Sequence, residues 1–159
     1  MIHTYVATIR GFSDASRDLK DWKFLIIGPV KDEDYYKELQ DLSKILGLND
    51  NISFLGQRDS SFIRETYEEC SIFVSLSRRE SFGIARLEAI ACGLPVLTSN
   101  AGCETCLPGA LVTNIDDLQV VAKDMRNLMS DESMRNSLVS EGQEGLVEWG
   151  QIVKEYVGY

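Results

Sequence analysis

Polar and apolar positions alternate in blocks along this chain, and the block lengths predict helices and strands in turn. Tyr5, Val6, Ile9, Phe12, Ser16 and Leu19 recur at spacings of three and four, which predicts a helix with one inward face. Lys23-Phe24-Leu25-Ile26-Ile27-Gly28 then forms a continuous apolar run closed by Gly28-Pro29. A run without polar alternation predicts a parallel strand buried on both faces. A helix of about 14 residues is expected from near Glu33, with Tyr36, Leu39, Leu42, Ile45 and Leu46 inward and Gly47 as its stop. Ile52 to Gly56 reads as a second strand, Phe62 to Glu69 as a short helix, and Ser71 to Leu76 as a third strand. Ile84 to Cys92 predicts a helix ended by Gly93, with Pro95 just beyond. Pro95 to Thr98 and Ala110 to Val112 supply two more short strands. The remainder reads as helix from Asp116 to about Met129 and again from Glu132 to Gly142.

Short buried strands joined by helical crossovers imply an α/β fold with a doubly wound, Rossmann-like parallel sheet. Such domains normally open with a strand, whereas this one opens with a helix. The expectation is that a first strand, and whatever precedes it, is missing. With 159 residues, 44% of them hydrophobic, the chain has room for one domain with its own core. The formal net charge of -9 argues against nucleic-acid or membrane binding through bulk charge, yet leaves room for a local anion pocket. No apolar run reaches the roughly 20 residues needed to span a bilayer. The first residues lack a signal-peptide pattern, and four cysteines in such a chain make no disulfide scaffold. A cytoplasmic protein is expected.

Ligands of doubly wound sheets sit beyond the carboxyl ends of the strands, so the loops after Gly28, Gly56, Leu76 and Thr98 carry the interest. The loop after the third strand holds Glu80-Ser81-Phe82-Gly83-Ile84, and Glu88 follows about one turn into the next helix. Gly83 removes side-chain bulk where that helix begins. The first-turn N–H groups near Phe82, Gly83 and Ile84 are free to receive an anion such as a diphosphate. Glu80 and Glu88 can face one cavity, and carboxylates accept paired hydrogen bonds from the vicinal hydroxyls of ribose and sugars. An acid near a helix N-terminus is also favoured by the helix dipole alone. The pair, together with Gly83, favours a nucleotide-sugar site.

The segment Glu80-Ser-Phe-Gly-Ile-Ala-Arg-Leu-Glu88, followed by Ala-Ile-Ala-Cys-Gly-Leu-Pro-Val, resembles the signature of group 1 glycosyltransferases (glycosyltransferase family 4). Asp21 to Gly28 and Asn51 to Gln57 are similar to two further blocks of that family. The resemblance implies the C-terminal, donor-binding half of a two-domain GT-B enzyme. Such an enzyme makes a metal-free, retaining transfer of a hexose-type sugar from a nucleoside diphosphate to a glycan or lipid-linked acceptor, as in polysaccharide biosynthesis. It assigns Glu80 to the donor sugar as the catalytic position, and Glu88 to the ribose. Ser81, Phe82, Gly83 and Ile84 fall to the diphosphate, and Gly28, Gly56, Gln57 and Arg58 to the nucleotide. No cofactor is implied beyond the donor itself. The partner is the missing N-terminal acceptor domain, without which the fragment is expected to be inactive.

Two departures bear on the site. The family's diphosphate-neutralising Arg and Lys belong to a loop upstream of Met1, so donor affinity is expected to be weak; Arg78, Arg79 and Arg86 are nearby cations that read as surface residues. Asn100 to Thr105 looks shortened relative to the family's loop. Asp32-Glu33-Asp34 has metal-binding spacing but stands at a helix start, where acids serve as caps. Cys103-x-x-Cys106 lacks a second pair, and His3 is the sole histidine, so no metal site is expected. Trp149, Tyr156 and Tyr159 suggest a closing helix. The rival readings are a non-catalytic nucleotide-sugar-binding or interaction module and, with less support, a sugar-nucleotide epimerase fragment. An exposed apolar edge would also permit self-association.

Overall fold

The computed structural model describes residues 4–78, 83–99 and 108–157. Its elements alternate in the expected order: α1 (Thr4–Ala15), β1 (Phe24–Ile27), α2 (Glu33–Ile45), β2 (Ile52–Gly56), α3 (Ser60–Glu69), β3 (Phe73–Ser75), α4 (Ile84–Ala91), β4 (Val96–Ser99), β5 (Ala110–Thr113), α5 (Leu118–Ser130) and α6 (Glu132–Val157). Local chemistry sets most of the helix starts. Asp32, Asp59 and Asp117 cap α2, α3 and α5 by accepting first-turn N–H groups, from Tyr35, from Phe62, and from Gln119 with Val120. Asp32 is therefore accounted for as a cap.

All strand pairs are parallel, but they form two sheets: β1 with β2, and β3-β4-β5 in that order. The three-stranded sheet is covered on both faces, as a doubly wound fold requires. Val74, Leu97 and Leu111 join a core with Ile9 and Phe12 of α1 and Val121, Met125 and Leu128 of α5. Their strand neighbours Phe73, Val96 and Ala110 join a second core with Ala89 and Ile90 of α4 and Leu146 of α6. Alternate residues feed opposite faces because the pleat has a period of two.

The expectation that the first strand is buried on both faces is not met. None of Phe24 to Ile27 is fully buried, and Leu25 is 37% exposed. All three residues of β3 are only half-buried, whereas all four of β4 are buried. The reason is topological. Among the described residues β1 pairs only with β2, and β3 only with β4. Phe24 of β1 and Val74 of β3 line a common apolar cleft with Phe12, Trp22, Leu97 and Met125.

Two helical expectations are corrected. Ile45, expected inward, is 81% exposed, while Leu39 and Ser43 form the buried stripe of α2; Leu42 and Leu46 pack against the core beside them, and Ile45 falls off this i, i+3, i+7 face. The final helix does not stop at Gly142 but continues to Val157. A Cβ at Gly142 would come within 2.8 Å of Ile90 Cγ2, and one at Gly145 within 2.0 Å of Pro108 Cγ. These glycines let α6 approach the core and the Pro108–Gly109 turn, and tertiary contact outweighs their weak helix propensity.

Candidate functional site

The chain turns sharply at the carboxyl ends of β1 and β2, and the two turns meet. The Gly28 N–H donates to the Gly56 carbonyl at 3.0 Å, and Gly56 leaves β2 with φ 66°, a left-handed conformation. Gln57 and Arg58 follow on the surface. The Arg58 guanidinium lies over the Phe62 ring, 5.2 Å from its centroid, which orders a planar cation beside these turns.

Beyond β3 the site is built on the start of α4. Gly83 is the N-cap, with φ 72° and no side-chain cap, in contrast to the aspartate-capped α2, α3 and α5. The N–H groups of Ile84 and Ala85 therefore receive no cap from the N-cap residue itself, and their positive ends point outward. Ile84 is 63% exposed, and Ala85 and Glu88 are exposed with it. Spacings of three and four put these three residues on one open face of α4. Glu88 is thus presented to solvent above an uncapped helix end. Glu80, Ser81 and Phe82 lie outside the described residues, as do Arg79, His3, Cys103, Cys106 and Asn100 to Thr105.

The opposite face of α4 holds a group the sequence reading misplaced. Arg86 is not a surface cation: it is 3% exposed, between Ala89 and Ile90 on the inward face. Its Nη1 donates to Thr98 Oγ1 at 3.0 Å, and the Thr98 hydroxyl donates in turn to the Ser75 carbonyl at 3.1 Å. This chain of bonds joins the carboxyl ends of β3 and β4 to the first turn of α4. Nearby, the Ser99 hydroxyl donates to the Ser77 carbonyl across the same strand ends. Nε and Nη2 of Arg86 are buried without a hydrogen-bond partner among the described residues. Arg78 remains at the surface and forms an ion pair with Asp116 at 2.6 Å.

Tyr67 of α3 also belongs here. Its hydroxyl donates to the Ala85 carbonyl at 3.4 Å, and its ring meets Phe73 edge-on at 5.8 Å. Burial, with the negative charge of Glu88 adding to it, pushes the phenol pKa up to about 12. The ring is a neutral donor at physiological pH. A legible signal for Arg86 existed in the sequence, since a cation at spacings of three and four from Ala89 and Ile90 shares the apolar face. Tyr67 carried none, because its contact with α4 spans the sheet order. Among the described residues no group of three or more His, Cys, Asp or Glu could hold a metal ion, and no helix is long and apolar enough to cross a membrane.

Known proteins resemble this chain in sequence and in fold. A family model described as glycosyl transferases group 1 matches residues 7–145. N-acetyl-alpha-D-glucosaminyl L-malate synthase of Bacillus anthracis is 29% identical over 132 residues, covering 80% of this chain and 33% of its own length. Among solved structures, the C-terminal domain of a group 1 glycosyl transferase (LpcC) from Francisella tularensis is 28% identical. It superposes with a TM-score of 0.78, over 87% of this chain and 74% of that one. Anabaena HepE, solved with UDP-glucose, shares the fold at a TM-score of 0.77 and 22% identity, over 96% of this chain and 44% of that one. The chain spans about a third of the length of the curated relatives it matches, 33%, 36% and 37% for three of them.

Proposed function

Because this chain belongs to the group 1 glycosyltransferases, we propose that it is the donor-binding domain of a retaining, hexosyltransferase-type enzyme that takes a sugar from a nucleoside diphosphate. The observation that carries the reading is the start of α4: an N-terminus whose N-cap, Gly83, has no side chain to cap it, with Glu88 exposed about one turn further on. The helix end supplies N–H donors and a positive dipole for the diphosphate, and Glu88 supplies acceptors for the ribose hydroxyls. The joined turns at Gly28 and Gly56, with Gln57 and Arg58, offer an open surface for the base. Glu80 is assigned the donor sugar by the family resemblance, with Ser81 and Phe82 beside the diphosphate. No side chain of this domain need act as nucleophile. Its contribution is to stabilise the departing diphosphate while an acceptor, a glycan or a lipid-linked sugar, attacks from the same face.

The same reading makes the domain part of a larger, cytoplasmic two-domain enzyme, inactive in transfer by itself. The two-domain part is supported by the share of its relatives' length that the chain spans, and by the apolar cleft between β1 and β3, whose strand edges, unpaired among the described residues, an additional parallel strand would use.

Calorimetric titration with UDP, GDP and ADP tests the donor site on the wild type and on Glu88→Ala. HepE was solved with UDP, which makes UDP the first ligand to try. One nucleotide should bind, and Glu88→Ala should weaken it about tenfold, roughly 1.4 kcal/mol. Equal binding by the variant removes Glu88 from the site. Absence of binding by all three at millimolar concentration removes the donor-site reading for this chain.

A further inference from the structure

We propose that Arg86 is the counter-charge of an oxyanion site at the N-terminal end of α4, and that the oxyanion is a diphosphate. The diphosphate part rests on the donor reading above; the anion site itself does not.

Arg86 is a buried guanidinium with one of its three nitrogens bonded among the described residues. Nη1 is held by Thr98 Oγ1, while Nε and Nη2 have no partner among the described residues. No carboxylate of the described residues forms an ion pair with it. A buried cation without an anion is among the costliest arrangements a core can contain, and an aliphatic side chain of similar reach would be cheaper there. Its retention on the apolar face of a short helix is explained if an anion meets it when the site is filled.

The two free nitrogens also say what kind of anion. Nε–H and the adjacent Nη2–H form one edge of the guanidinium, and two parallel donors on one edge match two oxygens of a phosphate or carboxylate. Their location says where. A Cβ built on Gly83 would fall 2.3 Å from both Nε and Nη2, so the free edge lies against the N-cap residue of α4, and only glycine leaves room for it. Dipole and fixed charge therefore lie close together at the N-cap Gly83, which has no side chain of its own to cap the helix. Both donors are shielded from water, so their charge acts on an anion at the helix end with little solvent screening.

Inorganic pyrophosphate is the probe that separates this site from recognition of a nucleoside. With the 159-residue chain, pyrophosphate should bind, and its saturation should move the Arg86 Nε–H resonance, assigned by its loss in Arg86→Lys. Arg86→Lys should weaken pyrophosphate and UDP about tenfold, and Arg86→Met should weaken them further, with uridine affinity unchanged in both. Glu88→Ala should do the reverse, weakening uridine and sparing pyrophosphate. The inference is overturned if folded Arg86→Lys or Arg86→Met binds pyrophosphate as the wild type does. It is equally overturned if the wild-type Nε–H resonance stays in place at saturating pyrophosphate, a result that needs no variant to fold, or if pyrophosphate does not bind. Pyrophosphate held through Arg86 while UDP, GDP and ADP bind no more tightly than it does would uphold the anion site and refute the nucleotide-sugar reading.

Discussion

Glycines in this chain are explained by what stands next to them, and that gives the most direct stability test. Gly145 lies within α6, where host–guest propensity favours alanine over glycine by about 1 kcal/mol. Its Cβ direction, however, runs into Pro108 at 2.0 Å. Gly145→Ala is therefore expected to destabilise the fold by about 1–3 kcal/mol, read as a lowered urea midpoint at constant slope; a raised midpoint would mean that α6 can slide off the turn. Tyr67 makes the pH prediction. Its folded pKa of about 12 exceeds the ordinary value near 10, because burial and the charge of Glu88 both oppose the phenolate. A raised folded pKa means the folded state holds the proton more tightly. The associated stability is present in full below pH 10 and is lost as the pH climbs towards 12. Tyr67→Phe keeps the ring against Phe73 and removes the titration, so its urea midpoint should fall less steeply between pH 10 and 12. Parallel curves for the two proteins would show that the phenol is not what titrates. The same residues mark the limit of sequence reading. Gly83 and Glu88 were legible from their motif, but the partners that give Gly83 its meaning, Arg86 and Thr98, come together only when α4 packs on β4.

At the scale of elements, helix starts are local and were readable; helix ends and strand burial were not. Asp117 accepts from the N–H groups of Gln119 and Val120 at 3.0 and 3.3 Å. Asp117→Ala should lower stability by about 1 kcal/mol through the lost cap, with the denaturant slope unchanged. A loss near zero would mean that water replaces the carboxylate at no cost. This cap supports an element that matters beyond itself. Val121 of α5 sits against Gly11 of α1, where an added Cβ would come within 2.6 Å, and the two helices share the larger core. Gly142 illustrates the opposite case. It looks like a stop by local chemistry, yet the helix passes through it, because closeness to Ile90 is worth more than the entropy a glycine loses. Strand β1 reads as buried on both faces for the same local reason, a run of apolar residues, and is half-exposed because burial depends on neighbours that a sequence window does not contain.

Across the whole molecule, an apolar cleft bounded by Phe24, Val74, Phe12 and Met125 lies between β1 and β3. Apolar walls and unpaired strand edges favour association with another extended segment. Sedimentation velocity across a wide concentration range is expected to show reversible self-association of the 159-residue chain, reduced by Leu25→Lys on the exposed side of β1. A monomer at every concentration would mean that the two half-sheets close the cleft by themselves. The alternating strand and helix order, the parallel pairing, and the motif at the start of α4 on which the proposed site rests were all present in the sequence. They follow from periodicity, from caps and from a motif whose residues are neighbours along the chain. What only the tertiary structure decided was the split of the sheet, the burial of Arg86 beneath Gly83, the placement of Tyr67 against α4, and the passage of α6 through its glycines. Each depends on groups distant in sequence meeting at a few ångströms, and such proximity is a property of the packing, which no local pattern encodes.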